Sequence, residues 1–397
     1  MAAKKSALPQ VPERLLARLW RERAARAGPL AAQDGRRLRV RYPGRLSSAA
    51  VPDFFDAVLE DEAGRVVRGD VEVHRHEADW LAHGHSRDAR YDNVVLHVVL
   101  QPAAHPLAGN PPPALALGPL AFRAPPAAES PPHWDMLARH GYRQPGRQEE
   151  LGALLDRAGR QRFLLKAASF AVSVERVGAP QALYEGLMEA LGYSHNRAPF
   201  AALSRLAPYE EVREAALRAA PPARQAVALA LLRARSAGLA WHTFRVRPGN
   251  HPGRRMAGAA ALVARYAEAG LVGGLERLAL AGDHRTLEAG LTVCQEGATL
   301  VGRGRAADMA VNVALPFFHA LAGRTGGSTM AEQTLRLYER WPLLQENELT
   351  REMSSLLGLQ GLDGARDGAR RQQGLIHLYR LLTGTGSTEH AAGEHAP

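Results

Sequence analysis

The chain has 397 residues, with 50 Lys plus Arg against 40 Asp plus Glu and a formal net charge of +10. Its single cysteine, Cys294, excludes an internal disulfide framework and a cysteine-built zinc site; that thiol is expected to be a small buried hydrophobe rather than a nucleophile. A hydrophobic content of 46% supports packed cores, and the length favours two domains over one. Residues 1–10 are polar and basic with no apolar segment behind them, so no secretory signal is expected. No apolar run approaches the roughly 20 residues of a membrane helix. The expectation is a cytoplasmic protein that does not meet a membrane. The basic balance suits a polyanion such as nucleic acid, although a composition favouring arginine throughout gives the same charge.

In chain order, residues 12–27 read as an amphipathic helix, with Leu15, Leu16, Leu19 and Trp20 on one side and Gly28-Pro29 ending it. Strands are predicted over 36–46, 53–60, 66–74 and 93–100, with a turn at Ala63-Gly64 between the second and third. Residues 78–90 read as a short helix or helical turn. Residues 101–132 are rich in Pro, Ala and Gly and form a connector, with a short strand over 114–120. Beyond that, Ala, Leu and Arg recur at helical spacing. Helices are predicted over 134–140, 149–177, 180–191, 198–206, 210–219, 224–237, 254–269, 306–322, 328–341, 347–356 and 364–382. No fixed-period repeat is present, which excludes a solenoid. The predicted class is α+β: an αβββαβ domain over 1–125, an all-α domain over 132–382 and a disordered tail over 383–397.

One stretch carries most of the chemistry. Asp53 opens the second strand, and Glu72 and His74 stand two apart on the third, so they share a face. Two carboxylates beside an imidazole suit a hard divalent cation and an activated water. A neutral imidazole accepts a proton near pH 7 without the pKa depression a lysine requires, or it serves as a metal ligand and favours Mn²⁺. Asp70 lies on the same face, either as a third carboxylate at the metal or as a strand-end group in solvent. Glu13 either approaches the pair or sits on a solvated helix face. His74, His76, His83 and His85 around Asp79 offer a different reading, a zinc hydrolase. Arg87 and Arg90 are candidates to hold phosphate oxygens, while His97 and Trp80 read as core residues.

The pattern of Pro52-Asp53 at the second strand and Glu72-Val73-His74 on the third resembles the PD-(D/E)xK nuclease superfamily, with His74 where that pattern has lysine. The resemblance implies a restriction-endonuclease-like core and hydrolysis of DNA or RNA with Mg²⁺ or Mn²⁺. Asp53, Glu72 and His74 would be catalytic, and Asp53, Glu72 and Asp70 would hold the metal. A homodimer is a further expectation, since many enzymes of that fold cut duplexes as dimers. The alternative is a nucleic-acid-binding or scaffold protein that keeps the fold without the activity.

Blocks along the whole chain resemble the bacterial domain-of-unknown-function 2851 family. They are P-D-F-F-D-A, G-D-V-E-V-H, D-W-x-x-H-x-H, Y-D-N-V-V-L-H-V-V, Leu191-Gly192-Tyr193 with Asn196, Arg247-Pro248-Gly249-Asn250-His251-Pro252 with Arg255, Gly302-Arg303-Gly304-Arg305-Ala306 with Asn312, and Gln373-Gly374-Leu375-Ile376-His377-Leu378. Arg245, Arg247, Arg254 and Arg255 surround Pro248, Asn250 and Pro252. That loop is either a phosphate-binding element, with Arg247, Asn250 and Arg255 on the substrate, or a structural corner.

Overall fold

A computed structural model describes residues 11–47, 52–118, 131–244, 246–295, 297–359 and 367–385. The chain forms two compact units, Met1–Arg147 with His377–Pro397, and Gln148–Ile376. The predicted segments 1–125 and 132–382 therefore differ from the units at both ends of the helical region. A helix-period pattern reads alike wherever the helix packs, so it carries no information on which core the helix joins.

The first unit opens with α1 (Glu13–Arg23). Its sheet contains β1 (Leu30–Ala31), β2 (Arg37–Tyr42), β3 (Arg45–Leu46), β4 (Phe54–Asp61), β5 (Val66–His76), β6 (Val94–Gln101) and β7 (Ala114–Ala116). The order is β1-β2-β4-β5-β6-β7, with β3 paired to β4. β4 pairs antiparallel with both β2 and β5, and β6 and β7 run parallel to β5. The β4–β5 turn is closed by Asp61, whose Oδ1 accepts from the N–H groups of Ala63 and Arg65 at 3.0 and 2.9 Å. The predicted strand over 36–46 splits in two at Pro43-Gly44.

α1 buries Leu16 and Trp20 in a cluster with Val40, Phe54, Val71, Val73, Leu96 and Val98. The Trp20 indole N–H donates to the Pro43 carbonyl at 2.9 Å, so its one polar atom is satisfied. Truncating Trp20 to Ala removes the largest side chain of this core and is expected to cost about 3–5 kcal/mol. Because Val71 and Val73 face α1, strand alternation sends Asp70, Glu72 and His74 to the opposite face. Crossing from β5 to β6 are α2 (Asp79–Ala82) and two 3-10 turns, His85–Arg87 and Ala89–Tyr91. α3 (Pro132–Ala138) also belongs to this unit.

The second unit is helical around Phe163, Tyr184, Leu187, Phe200, Phe317, Phe318 and Tyr338. Most predicted helices are present with ends moved by a few residues. Two were not expected, Leu271–Leu280 and His284–Leu291. Gly273-Gly274 lowers the helical propensity of the first. Gly274 is nonetheless required, because a Cβ there would stand 2.2 Å from the Tyr266 ring. A second departure from an all-α domain is the hairpin of Val293–Gln295 with Ala298–Val301. Cys294 sits on that hairpin and is exposed, so it is not the buried hydrophobe the sequence suggested. Residues this short in strand carry no readable period.

Arg303–Arg324 is long and apolar enough to span a membrane by length and composition, but 72% of its 18-residue apolar window is buried inside the protein as a core helix. It includes a π-helical turn at Ala310–Ala314, just before Pro316, whose missing N–H breaks the α-helical ladder. Of the expected tail, residues 386–397 lie outside the described residues, as do Arg245 and residues 119–130 of the predicted connector. Thr383 ends the last helix, Gly368–Thr383, with its hydroxyl on the Tyr379 carbonyl at 3.0 Å.

Candidate functional site

The face of the sheet away from α1 gathers four histidines and a glutamate. β5 delivers Glu72 and His74, and its parallel neighbour β6 sets His97 opposite Glu72 in register. His83 and His85 come from the crossover. Two residues two apart on a helix point nearly opposite ways, so a continuous helix over 78–90 could not bring both rings to one place. The chain instead leaves the helix after Ala82, and Gly84 adopts φ +73. This left-handed step turns His83 and His85 back over β5.

The four rings meet around His74. His74 Nδ1 lies 2.9 Å from His97 Nε2. Its Nε2 lies 3.1 Å from His83 Nδ1, 3.4 Å from His85 Nε2 and 3.4 Å from Glu72 Oε1. His85 Nε2 is 3.5 Å from the same Glu72 oxygen. The His85 ring stacks on Tyr91 at 3.8 Å, and Trp80 packs beside it while donating to Ser86 Oγ at 2.9 Å. Glu72, His74 and His85 are 6%, 3% and 8% exposed, whereas His83 is open to solvent. The cluster therefore has buried walls and one wet side.

Glu72 also faces Asp53. Its Oε2 accepts from the Asp53 backbone N–H at 3.0 Å, and Asp53 Oδ2 accepts from the Val73 N–H at 3.0 Å. The two carboxylates are thus pinned to each other's strands where β4 meets β5. Burial pushes Glu72 up to about 8, with the charge of Asp53 adding to it. Burial likewise pushes Asp53 up to about 6, opposed by the Val73 hydrogen bond. Glu13, exposed at the start of α1, raises both slightly through space. Burial and the neighbouring His85 and His83 push His74 down to about 4. Among the described residues, no Lys or Arg pairs with Asp53 or Glu72. The site's charge is left for a cation to balance.

The remaining expected residues fall as follows. Asp70 accepts from the Asp56 N–H at 3.2 Å and bonds to Asn93, closing a bulge in β4 where Asp56 has φ +61. Its carboxylate holds backbone and is not among the atoms that converge on His74. His76 is exposed at the end of β5 and stands outside the histidine cluster. Arg87 is exposed two residues past His85, whereas Arg90 is held by Asp88. His97 is fully buried, as expected of a core residue, but it orients His74 and leaves its own Nδ1 without a partner. That orienting role was not read from the sequence; the imidazole on β6 opposite Glu72 was its only signal.

Arg247, Asn250 and Arg255 belong to the second unit. Arg255 is 6% exposed and donates to the Leu300 carbonyl at 3.0 Å, to Tyr193 Oη at 2.7 Å and to Asn250 Oδ1 at 2.8 Å. Arg305 lies over the Tyr193 ring at 3.3 Å and donates to the Ala190 carbonyl. Three sequence-distant blocks thus meet as a corner whose guanidinium groups bond to the protein itself. Arg247 alone of the three is exposed.

Residues 13–118 match a family described as a protein of unknown function, DUF2851. That stretch contains every residue of the Asp53, Glu72 and histidine cluster. The later blocks around Tyr193, Arg255, Arg305 and Gln373 lie beyond it. No curated protein and no solved structure matches the chain.

Proposed function

We propose that the protein is a metal-dependent hydrolase of phosphodiester bonds in DNA or RNA, with Asp53 and Glu72 holding a divalent ion. The observation that carries this reading is the pair of buried carboxylates fastened across β4 and β5 with no Lys or Arg partner among the described residues. Two such groups repel each other in a poorly solvated place, and a cation relieves both the repulsion and the lost hydration. The setting supports it. A helix, three antiparallel strands, a crossover and a parallel strand follow in the order that the resemblance to PD-(D/E)xK nucleases implies.

A divalent ion bound there supplies positive charge against phosphoryl oxygens and acidifies a water it holds. Asp53 and Glu72 fix the ion's place, because each is oriented by a backbone N–H of the neighbouring strand. Glu13 adds negative charge from α1. Arg87, exposed two residues past His85, would meet a phosphate in this reading. His74 departs from the role of a free base, since His97 engages its Nδ1 and three groups crowd its Nε2. Its part is to hold rather than to shuttle a proton.

The test is cleavage of single- and double-stranded DNA and RNA in Mg²⁺, Mn²⁺ and Zn²⁺, wild type against Asp53→Asn. Metal-dependent cleavage lost in the variant, with nucleic-acid binding kept, supports the reading. Folded wild type that binds nucleic acid and cuts none of these in any metal returns the protein to the binding or scaffold class.

A further inference from the structure

We infer that Glu72, His74, His83 and His85 form a transition-metal site of the zinc type. The donor atoms are Glu72 Oε1, His74 Nε2, His83 Nδ1 and His85 Nε2. Ligating atoms of the three histidines all lie within 4.8 Å of one another.

The spacing fits one ion. A tetrahedral ion with metal–nitrogen bonds of about 2.0–2.1 Å has donor-to-donor edges of about 3.3 Å. Four edges of this cluster measure 3.1, 3.4, 3.4 and 3.5 Å. His74 Nε2 has a single bonding direction, as donor or as acceptor according to tautomer, yet three atoms lie within 3.4 Å of it. One hydrogen bond serves one of those three contacts and leaves two without a bridge. A shared cation satisfies all four together.

The surroundings also fit. A His74 that ligates through Nε2 carries its proton on Nδ1, and His97 Nε2 stands 2.9 Å away to accept it. Such an outer partner fixes tautomer and ring angle at metal-bound histidines. Tyr91 stacks on His85 and fixes that ring. His83, the exposed member, provides the route in and a side where water or substrate can approach. Three imidazoles and one carboxylate select Zn²⁺, Mn²⁺, Fe²⁺ or Co²⁺ over Mg²⁺, which prefers oxygen and its own waters. The inference shares Glu72 with the proposed hydrolytic pair but does not depend on hydrolysis, since Glu72 turns Oε1 to the histidines and Oε2 to Asp53.

The experiment is a cobalt titration of the full chain, made without a polyhistidine tag and freed of metal by a chelator. We expect one Co²⁺ per chain to bind with strong visible ligand-field bands, and Zn²⁺ to displace it. His83→Ala, at an exposed position where folding is not at stake, should weaken Co²⁺ by about tenfold or more. His85→Ala should do the same, and Asp53→Asn should leave the bands in place. Absence of bands at one equivalent, or bands indifferent to both histidine variants, would overturn the site. The hydrolase reading fails separately: cobalt binding lost with His83→Ala, but no cleavage by wild type in any metal, keeps the metal site and removes the activity.

Discussion

Two polar clusters are buried in this protein, and they are opposite in chemistry. Around His74 three imidazole nitrogens and a carboxylate oxygen crowd one point. Around Tyr193 the converging groups are guanidinium donors that reach acceptors on the chain, Arg255 on Leu300, Tyr193 and Asn250, and Arg305 on Ala190, with only the Nε of each left without a partner. A buried donor cluster can be completed from within, because backbone carbonyls are everywhere. A point where three atoms face one imidazole nitrogen with a single bonding direction is not completed that way, and a cation serves it. The first arrangement therefore points outward to a ligand and the second inward to stability.

The largest effect that would break this contrast is expected from Arg255→Met. It strands the buried Leu300 carbonyl and two half-buried acceptors and should cost about 2–4 kcal/mol, read as a lower urea midpoint of the second unit. Cobalt binding should be unchanged in the folded variant. Wild-type stability combined with weakened nucleic-acid binding would instead make the corner a phosphate site.

Acid should expose a second burial cost of similar size. His133 on α3 is 5% exposed, its Nε2 has no partner, and burial pushes it down to about 4 from the ordinary 6.5. Between those values the unfolded chain takes up a proton that the folded chain refuses. Its contribution is therefore complete above about pH 6.5 and declines as pH falls toward 4, by up to about 3 kcal/mol. His74 and His97, pushed down to about 4 and about 3, steepen the same acid limb. His133→Met should flatten that limb without altering cobalt binding. An unchanged pH profile of the urea midpoint would place the acid sensitivity elsewhere.

His97→Phe separates orientation from ligation. It keeps an aromatic ring beside His74 but removes the acceptor for Nδ1. Loss of such an outer partner typically costs about 10–100-fold in metal affinity. The cobalt bands should still form at saturation, whereas His85→Ala should change their shape. Equal spectra and equal affinity in His97→Phe and wild type would show that His74 needs no partner behind it.

Much of the first unit was legible in the sequence because its signals are local. Leu16 and Trp20 repeat at helical spacing, β-branched residues are concentrated over 94–100, and the spacing of Glu72 and His74 fixes a shared face. What stayed hidden depends on contacts or on a single torsion. β1 and β3 have two residues each, too few for any period. Asp70 shares the face of Glu72 yet is taken by the bulge at Asp56, a position that no alternation rule foretells. Arg255 reads as a phosphate ligand until its three partners, one of them 62 residues away in sequence, are seen.

The least costly change tests the torsion on which the histidine cluster turns. Gly84 stands between His83 and His85 with φ +73, and nothing lies within 4 Å of where its Cβ would be. Volume is therefore not the constraint; the left-handed backbone is. Gly84→Ala should cost about 1–2 kcal/mol locally, because an alanine resists that conformation. The strain has a cheap outlet: the crossover can rewind toward a helix, which swings one imidazole away from Glu72. Metal affinity should then fall while global stability changes little. Gly84→Asn fills the same space but visits the left-handed region more readily, and it should keep more of the affinity. If Ala and Asn weaken cobalt equally, the site tolerates the rewinding, and the convergence of His83 and His85 is not what Gly84 is there to secure.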